Sequence, residues 1–173
     1  VRPKDAEGFS GFEGRTSIFD YWSVGTLRRW YNEGNPDGSQ LTPRERWLRA
    51  KYASILNLCN TEKAITDGRF FDLMYVNYEN PTFNPHRQYV FLRSYDSETL
   101  LIAVNFSADS CDVAINIPLH ALEMLNIPEG KAPVRELLSG ESDVKTVSST
   151  EPFTTMIPPY GAVVWKIKHS QVK

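Results

Sequence analysis

Four carboxylates near the start of the sequence lie among aromatic side chains, a pattern that could serve sugar chemistry. Hydrolysis of a glycosidic bond needs a pair of carboxyl groups separated by roughly 5–10 Å, and aromatic rings commonly stack on sugars. Nothing in the spacing raises the pKa of one carboxyl group relative to another, so solvated loop acids are the better interpretation. The four residues are Asp5, Glu7, Glu13 and Asp20.

Nucleophilic and metal-dependent chemistry find little support elsewhere in the sequence. His86, His120 and His169 lie near no nucleophile-elbow motif, and Gly-x-Ser-x-Gly is absent. The sequence contains no His-x-x-x-His, no closely paired cysteines and no glycine-rich phosphate loop. A faint calcium-loop pattern over residues 33–38 fails because Arg44 occupies the position of the bidentate glutamate. We therefore predict no catalytic residue, no metal site and no cofactor in this chain.

Composition narrows the class of protein. The 173 residues suit one compact domain, or one domain with an appendage. The net charge of −2 gives no overall field for nucleic acid or an anionic membrane, and the clustered arginines predict charged helix faces. No run of residues has the length and apolarity of a membrane span. Cys59 and Cys111 lie in apolar patterns, which predicts two buried free thiols rather than a disulfide.

The elements that would position any site begin with an irregular segment and one helix. Residues 1–40 carry many aromatic rings and glycines without a lasting period, although Ser23 is a candidate cap for a short helix over residues 24–31. Thr42, Pro43 and Glu45 match a capping box with proline at the first helical position. The apolar residues that follow recur on one helical face: Leu48, Tyr52, Ile55, Leu56 and Cys59.

The rest of the sequence alternates with period two. From Arg69 the pattern continues through Phe71, Leu73 and Tyr75, and a hairpin follows over residues 89–106. Further strands are predicted over residues 111–117, 133–138, 144–147, 153–157 and 162–168. The predicted fold class is mainly β: an antiparallel Greek-key β-sandwich preceded by an irregular aromatic-rich segment and one amphipathic α-helix. Asn105-Phe106-Ser107 is a glycosylation sequon, but its place at a strand end favours a structural role.

Three motifs resemble one known family. Residues 14–22, with the helix after them, resemble the end of the catalytic barrel in α-amylase-family glycoside hydrolases. The paired segments 90–95 and 101–107 are similar to two strands of the all-β C-terminal domain of those enzymes, and residues 158–164 fit its last turn and strand. The order matches over roughly residues 8–168. The resemblance implies that residues 1–66 are the last loop and helix of a barrel, and that residues 67–173 are the C-terminal sandwich domain.

The resemblance also implies a function. The chain would be the non-catalytic C-terminal region of an enzyme acting on α-glucans such as starch or glycogen, with its catalytic carboxylates on earlier barrel strands. Its partners would be the catalytic barrel of the same parent protein and an α-glucan, not nucleic acid or a membrane. Periplasmic, extracellular and cytoplasmic locations all stay open. Loops after barrel strands face the sugar, so the candidate substrate contacts are Phe9, Phe12, Arg15, Tyr21 and Trp22.

Two alternatives stay open. The sandwich could be a free-standing sugar-binding module that stacks exposed rings on glucose, or a protein-interaction module unrelated to sugars. The candidate stacking residues are Tyr78, Phe83, Tyr89 and Tyr95. If residues 1–66 are a barrel remnant, the aromatic rings that would face the barrel form exposed patches, and the isolated fragment is expected to self-associate.

Overall fold

The computed structural model of the chain describes residues 25–169. The chain divides into two compact units, the first ending at Ser54 and the second beginning at Ile55. The described part of the first unit contains helix α1 (Gly25–Tyr31), a short 3₁₀ turn (Asn32–Gly34) and most of helix α2 (Pro43–Thr61). In the range that the structure describes, no helix combines the length and apolarity needed to cross a membrane.

The second unit is mainly β. Its three short helices are α3 (Lys63–Thr66), α4 (Met74–Asn77) and α5 (Leu119–Leu125). Its strands are β1 (Arg69–Asp72), β2 (Gln88–Tyr95), β3 (Glu98–Asn105), β4 (Cys111–Ile115), β5 (Gly130–Glu136), β6 (Ser142–Val147), β7 (Phe153–Ile157) and β8 (Ala162–Lys168).

The strands form two sheets in which every pairing is antiparallel. The larger sheet has the order β1-β2-β3-β8-β5-β6, and β4 pairs with β7 in the smaller sheet. Strand β8 returns to lie between β3 and β5, a long return connection of the Greek-key kind. The mainly β antiparallel sandwich predicted from the sequence is confirmed.

The hydrophobic core of the second unit joins the two sheets. The inner positions of the six-stranded sheet contact β4, β7 and helix α5, as expected for side chains that alternate between two faces. Predicted inward residues are buried, among them Val113 and Ile115 on β4 and Trp165 and Ile167 on β8. The largest fully buried side chains include Phe153, Leu92, Leu101, Ile115 and Ile157.

The predicted hairpin is confirmed as β2 and β3. Tyr95 pairs with Glu98, so a two-residue turn joins the strands. Asp96 in that turn has φ = 53°, the left-handed conformation that tight hairpin turns require and that aspartate tolerates.

The first strand is shorter than the period-two pattern predicts. Strand β1 ends at Asp72, and helix α4 begins at Met74, so the predicted alternation through Tyr75 is wrong beyond Asp72. The side chain of Asp72 explains the break, because its Oδ1 accepts a hydrogen bond from the backbone N–H of Met74 at 3.0 Å. Such a local bond diverts the backbone from the sheet ladder into a turn.

The capping box at the start of helix α2 is confirmed. The hydroxyl of Thr42 accepts a hydrogen bond from the N–H of Glu45 at 3.3 Å, and the Glu45 carboxylate accepts one from the N–H of Thr42 at 2.9 Å. The reciprocal pair satisfies two backbone donors that the first helical turn otherwise leaves open.

Two smaller sequence predictions have clear outcomes. Cys59 and Cys111 are free thiols as expected, but both are half-buried rather than fully enclosed. The structural role predicted for the sequon asparagine is confirmed: Asn105 is fully buried, and its amide nitrogen donates to the carbonyls of Asp109 (2.8 Å) and Pro158 (3.1 Å).

Candidate functional site

The residues predicted to contact sugar lie outside the described part of the chain. These are Phe9, Phe12, Arg15, Tyr21 and Trp22, and the four carboxylates Asp5, Glu7, Glu13 and Asp20 lie there too. Within residues 25–169, no group of three histidine, cysteine, aspartate or glutamate side chains could hold a metal ion.

One hydroxyl–imidazole chain has the residue types of a nucleophilic site. The hydroxyls of Ser94 and Thr99 lie 2.9 Å apart, and the Thr99 hydroxyl lies 3.1 Å from Nε2 of His169. Both hydroxyl residues are buried, with Thr99 fully inaccessible, so no substrate can approach the oxygen that would attack. The arrangement satisfies polar groups inside the sheet rather than performing catalysis.

Among the residues that the structure describes, helix α2 presents a large exposed apolar face. None of its 19 residues is buried. Leu48 is 49% exposed, Tyr52 64%, Ile55 48% and Leu56 57%. These residues recur at the spacing that places them on one side of a helix. An amphipathic helix normally buries such a face, and large exposed apolar patches commonly mark interaction surfaces.

Hydrogen bonds and an ion pair to Glu45 stabilise the beginning of helix α2. Glu45 accepts hydrogen bonds from Nε of Arg29 at 2.9 Å, from Nη2 of the same residue, and from the Thr26 hydroxyl at 2.9 Å. The Arg29 guanidinium, followed by the Thr42 N–H, lowers the pKa of Glu45 well below its usual range. Arg49 lies over the ring of Trp30, with its guanidinium carbon 4.3 Å from the ring centre. These contacts order the described part of the first unit locally, and none of them involves the apolar face of α2.

The outer face of the six-stranded sheet carries a ladder of three aromatic rings. The ring centres of Phe70 and Phe91 lie 5.5 Å apart, and those of Phe91 and Tyr89 lie 5.6 Å apart. The cross-strand partners of Phe91 and Tyr89 on β3 are Ile102 and Val104, which extend the apolar surface. Phe70 and Tyr89 are exposed, and Phe91, Ile102 and Val104 are half-buried. We call these five residues, three aromatic and two aliphatic, the aromatic ladder.

The segment after helix α2 is fixed to another part of the same outer face. Arg93 on β2 donates to the carbonyls of Ala64 (3.0 Å) and Ile65 (2.5 Å) at the end of α3. Ala64 is fully buried against Leu100 and Val164. This contact gives a structural role to Arg93, which lies in the segment 90–95 singled out in the sequence. Residues 62–66, which the sequence assigned to the barrel remnant, thus contact strands of the sandwich.

An ion-paired lysine adds to this attachment. Nζ of Lys166 on β8 lies 2.9 Å from a carboxylate oxygen of Glu62 and 2.8 Å from one of Glu98. Burial alone would lower the pKa of Lys166, but the hydrogen bonds with Glu98 and Glu62 outweigh it and raise the pKa. The lysine therefore stays charged and links α3 to two strands.

A glycine allows the chain to pass close to this attachment. A Cβ atom at Gly68 would lie 2.1 Å from the carbonyl oxygen of Ala64 and 2.8 Å from that of Ser94. Both are backbone atoms that cannot move aside cheaply, so position 68 accepts only glycine.

The exposed tyrosines bear on the sugar-stacking alternative. Tyr78, Tyr89 and Tyr95 are exposed as predicted, but Phe83 is only 4% exposed, so its prediction as a stacking residue is wrong. Asn80 donates to the Ala114 carbonyl at 2.5 Å, and Thr82 accepts from the Ala114 N–H at 3.0 Å. These side-chain bonds fasten the loop to β4 and carry Phe83 into the core.

One of these tyrosines borders a concavity. Three segments meet around a cavity of about 450 Å³ in the second unit. Sequence reasoning singled out Tyr95 alone, because the other lining residues come from separate turns and share no motif. The lining residues are Asp67, Arg69, Ser94, Tyr95, Asp96, Leu125 and Asn126.

Comparison with solved structures places the fold among α-amylases. AmyP in complex with maltose is 18% identical, with a TM-score of 0.55 over 80% of this chain. The α-amylase of Geobacillus thermoleovorans complexed with acarbose is 19% identical (TM-score 0.50, 79% of this chain). An Anoxybacillus α-amylase, described as a new glycosyl hydrolase subclass, is 16% identical (TM-score 0.50, 81% of this chain). No protein-family model and no curated protein matches the sequence.

The chain spans about a quarter of the length of these structures: 24% of AmyP, 27% of the Geobacillus enzyme and 26% of the Anoxybacillus enzyme. In each of them the matching region is therefore part of a larger chain. At these identities the likeness shows the fold alone. The resemblance to α-amylase-family glycoside hydrolases predicted from the motifs is confirmed at the level of that fold.

Proposed function

We propose that this chain is the non-catalytic C-terminal region of an α-amylase-family enzyme acting on α-glucans, and that it stabilises the catalytic barrel. The observation that carries the proposal is the exposed apolar face of helix α2, with Leu48, Tyr52, Ile55 and Leu56 about half exposed or more. A helix of this kind is stable in a full-length enzyme when a neighbouring domain covers that face. The enzyme's chemistry would then reside in residues that precede this chain.

The size of the uncovered face supports a stabilising role. Complete burial of a large apolar side chain contributes about 1.5–3 kcal/mol. These side chains are roughly half exposed, so covering each would contribute on the order of 1 kcal/mol. Four such contributions are comparable with the net stability of a domain, which is about 5–15 kcal/mol.

The aromatic ladder supports a second contact. Phe70 and Tyr89 are exposed on a sheet face whose neighbouring region is already covered by α3. In the full-length enzyme we infer that the ladder faces the barrel, so that the sandwich is fixed to the catalytic domain at a sheet face as well as through the chain. The division into a barrel remnant over residues 1–66 and a sandwich over residues 67–173 belongs to this proposal, as do the sugar contacts proposed for Phe9, Phe12, Arg15, Tyr21 and Trp22.

The test is a charge placed on the apolar face in the full-length enzyme. Ile55→Asp is expected to lower the melting temperature, because a carboxylate would be buried against the barrel without a partner. Turnover per folded molecule is expected to stay near normal, because the residue is proposed to lie away from the chemistry. Differential scanning fluorimetry and single-turnover assays of the soluble fraction measure the two quantities.

Asn57→Asp is the matched control. It adds the same charge two residues further along the helix, about 200° around its axis, on the polar side. Its melting temperature is expected to stay within a degree or two of wild type. A large loss of turnover for Ile55→Asp with an unchanged melting curve would contradict the proposal and assign the helix to the active site instead.

A sugar-binding role for the sandwich is the second candidate, and the cavity beside Tyr95 favours it over a protein-interaction module. The two roles are compatible, since they use different surfaces of the same chain.

A further inference from the structure

The cavity beside Tyr95 is built from three turns of the second unit. Asp67 comes from the turn between α3 and β1, Tyr95 and Asp96 from the β2–β3 hairpin, and Asn126 from the end of α5. Its volume of about 450 Å³ falls within the roughly 300–1,000 Å³ typical of small-ligand sites. Leu125, which is buried, adds an apolar side chain to the lining.

The backbone around the cavity is held in a fixed shape. Asp96 and Asn126 have φ values of 53° and 55°, the left-handed conformation. Asp96 lies in the two-residue hairpin turn, and the N–H of Asn126 donates to the carbonyls of Leu122 and Glu123 at the end of α5. Arg69 donates from Nη1 to the Met124 carbonyl at 2.8 Å, which ties β1 to the end of α5. Gly68 is packed against the backbone of Ala64 and Ser94. A preformed site loses little conformational entropy when it binds a ligand.

The charges around the cavity balance. Asp67 and Asp96 are matched by Arg69 and by Lys63, whose Nζ lies 2.9 Å from Asp67. The lysine, through its hydrogen bond, lowers the pKa of Asp67, so the carboxylate stays ionised at neutral pH. The lining carries one more negative than positive charge, and Lys63 beside it offsets the difference, so the site lacks the strong net charge that favours a phosphate or a cation. Its groups are instead an exposed aromatic ring, two carboxylates, a guanidinium and a carboxamide, which together can exchange several hydrogen bonds with a neutral polyol.

We propose that this cavity is a binding site for a neutral glucan, in which the ring of Tyr95 stacks on one sugar and the polar groups bind its hydroxyls. The phenol combines an apolar face with a polar tip, which suits a pyranose that has both. The choice of an α-linked glucan over another neutral carbohydrate rests on the proposed function. The site would hold the polymer on the sandwich.

Affinity electrophoresis of the 173-residue chain tests the site. We expect the wild-type chain to be retarded in gels containing soluble starch and to run freely in gels containing hydroxyethyl cellulose. Tyr95→Ala is expected to remove the retardation, with at least a tenfold weaker Kd for maltoheptaose by calorimetry. Asn126→Gly should weaken binding several-fold, because it removes the carboxamide while glycine keeps the left-handed backbone.

Tyr75→Ala is the matched control, since it removes another exposed tyrosine (57% exposed, against 45% for Tyr95) from helix α4, outside the cavity. It is expected to bind like wild type, and circular dichroism of every variant establishes that the sandwich is folded. Free migration of the wild-type chain in starch, or retardation that survives Tyr95→Ala, would overturn the site. Equal retardation in both polysaccharides would overturn the α-glucan assignment. None of these outcomes bears on the proposed packing of helix α2 against the barrel, which the melting temperature of Ile55→Asp tests.

Discussion

The helical region and the sandwich use apolar residues in opposite ways. In helices α1 and α2 no residue is buried, although the sequence of α2 carries a continuous apolar face. In the sandwich, by contrast, inner positions such as Leu92, Leu101 and Ile157 are fully enclosed. The sandwich therefore supplies its own core, whereas the apolar residues of α2 stay exposed in the part of the chain that the structure describes. A sequence pattern reports which face of an element is apolar, but only the surrounding protein decides whether that face is covered.

Truncating a leucine in each region should give the largest difference in the free energy of unfolding. Leu101→Ala is expected to lower the free energy of unfolding of this chain by about 2–5 kcal/mol, because it leaves a cavity in a core that cannot collapse fully. Leu48→Ala should change it by less than about 0.5 kcal/mol, because the residue is half exposed on a helix where alanine is well tolerated. Urea denaturation followed by tryptophan fluorescence measures both.

The destabilisation caused by Leu48→Ala can also be compared between this chain and its proposed full-length parent enzyme. In the full-length enzyme, Leu48→Ala is expected to cost more than it does in the isolated chain, because the barrel would cover the side chain. An equal and negligible effect in both proteins would mean that the α2 face stays uncovered, and the proposed interface would fail. Size-exclusion chromatography at increasing concentration gives an independent measure, since an uncovered face should promote self-association of the isolated chain.

A buried carboxylate gives the next largest expected effect. The Glu136 side chain is 4% exposed and accepts hydrogen bonds from the N–H groups of Val164 (2.8 Å), Leu138 (3.1 Å) and Ser139 (2.5 Å). Glu136→Ala would leave these donors without a partner, at a cost of about 2–4 kcal/mol. Glu141→Ala, at an exposed glutamate nearby, should be near neutral. A small effect for both variants in urea denaturation would mean that water replaces the carboxylate.

The smallest expected effect is a pH dependence confined to helix α2. The Arg29 guanidinium lowers the folded-state pKa of Glu45. The contribution of the ionised Glu45 carboxylate to folding stability is therefore fully present above its unfolded-state pKa of about 4.5. It is lost as the pH falls below that value toward the lower pKa of the folded state. The helical circular-dichroism signal should therefore decline with acid in wild type and show a weaker dependence in Glu45→Gln. Identical acid profiles would show that the ion pair does not hold the helix.

Much of the sandwich was predictable because its strands alternate regularly. Strands β7 and β8 match their predicted bounds, and the hairpin of β2 and β3 matches within a residue at each end. The capping box at Thr42 and Glu45 was also predictable, because it depends on residues within one helical turn. Interactions between residues this close in sequence can be predicted without knowledge of the fold.

The errors come from side chains that bond to distant or neighbouring backbone. Asp72 ends β1 through its own carboxylate, and Asn80 carries Phe83 into the core through a bond to β4. Helix α5 was not predicted, because its seven residues are too few for a clear helical period. The cavity beside Tyr95 was missed for a similar reason, since its lining converges only after the chain has folded.

The position of strand β8 has a consequence for synthesis of the protein. Strand β8, the last strand of the described residues, lies in the middle of the large sheet between β3 and β5, and more than fifty residues separate it from β3 along the chain. Contacts this remote in sequence slow folding, because the chain must close a long loop before they form. Residue 168 must therefore leave the ribosome before β8 can pair with β3 and β5 and complete the sheet. A nascent chain halted earlier would expose unpaired strands on both sides of the gap and be open to aggregation or degradation.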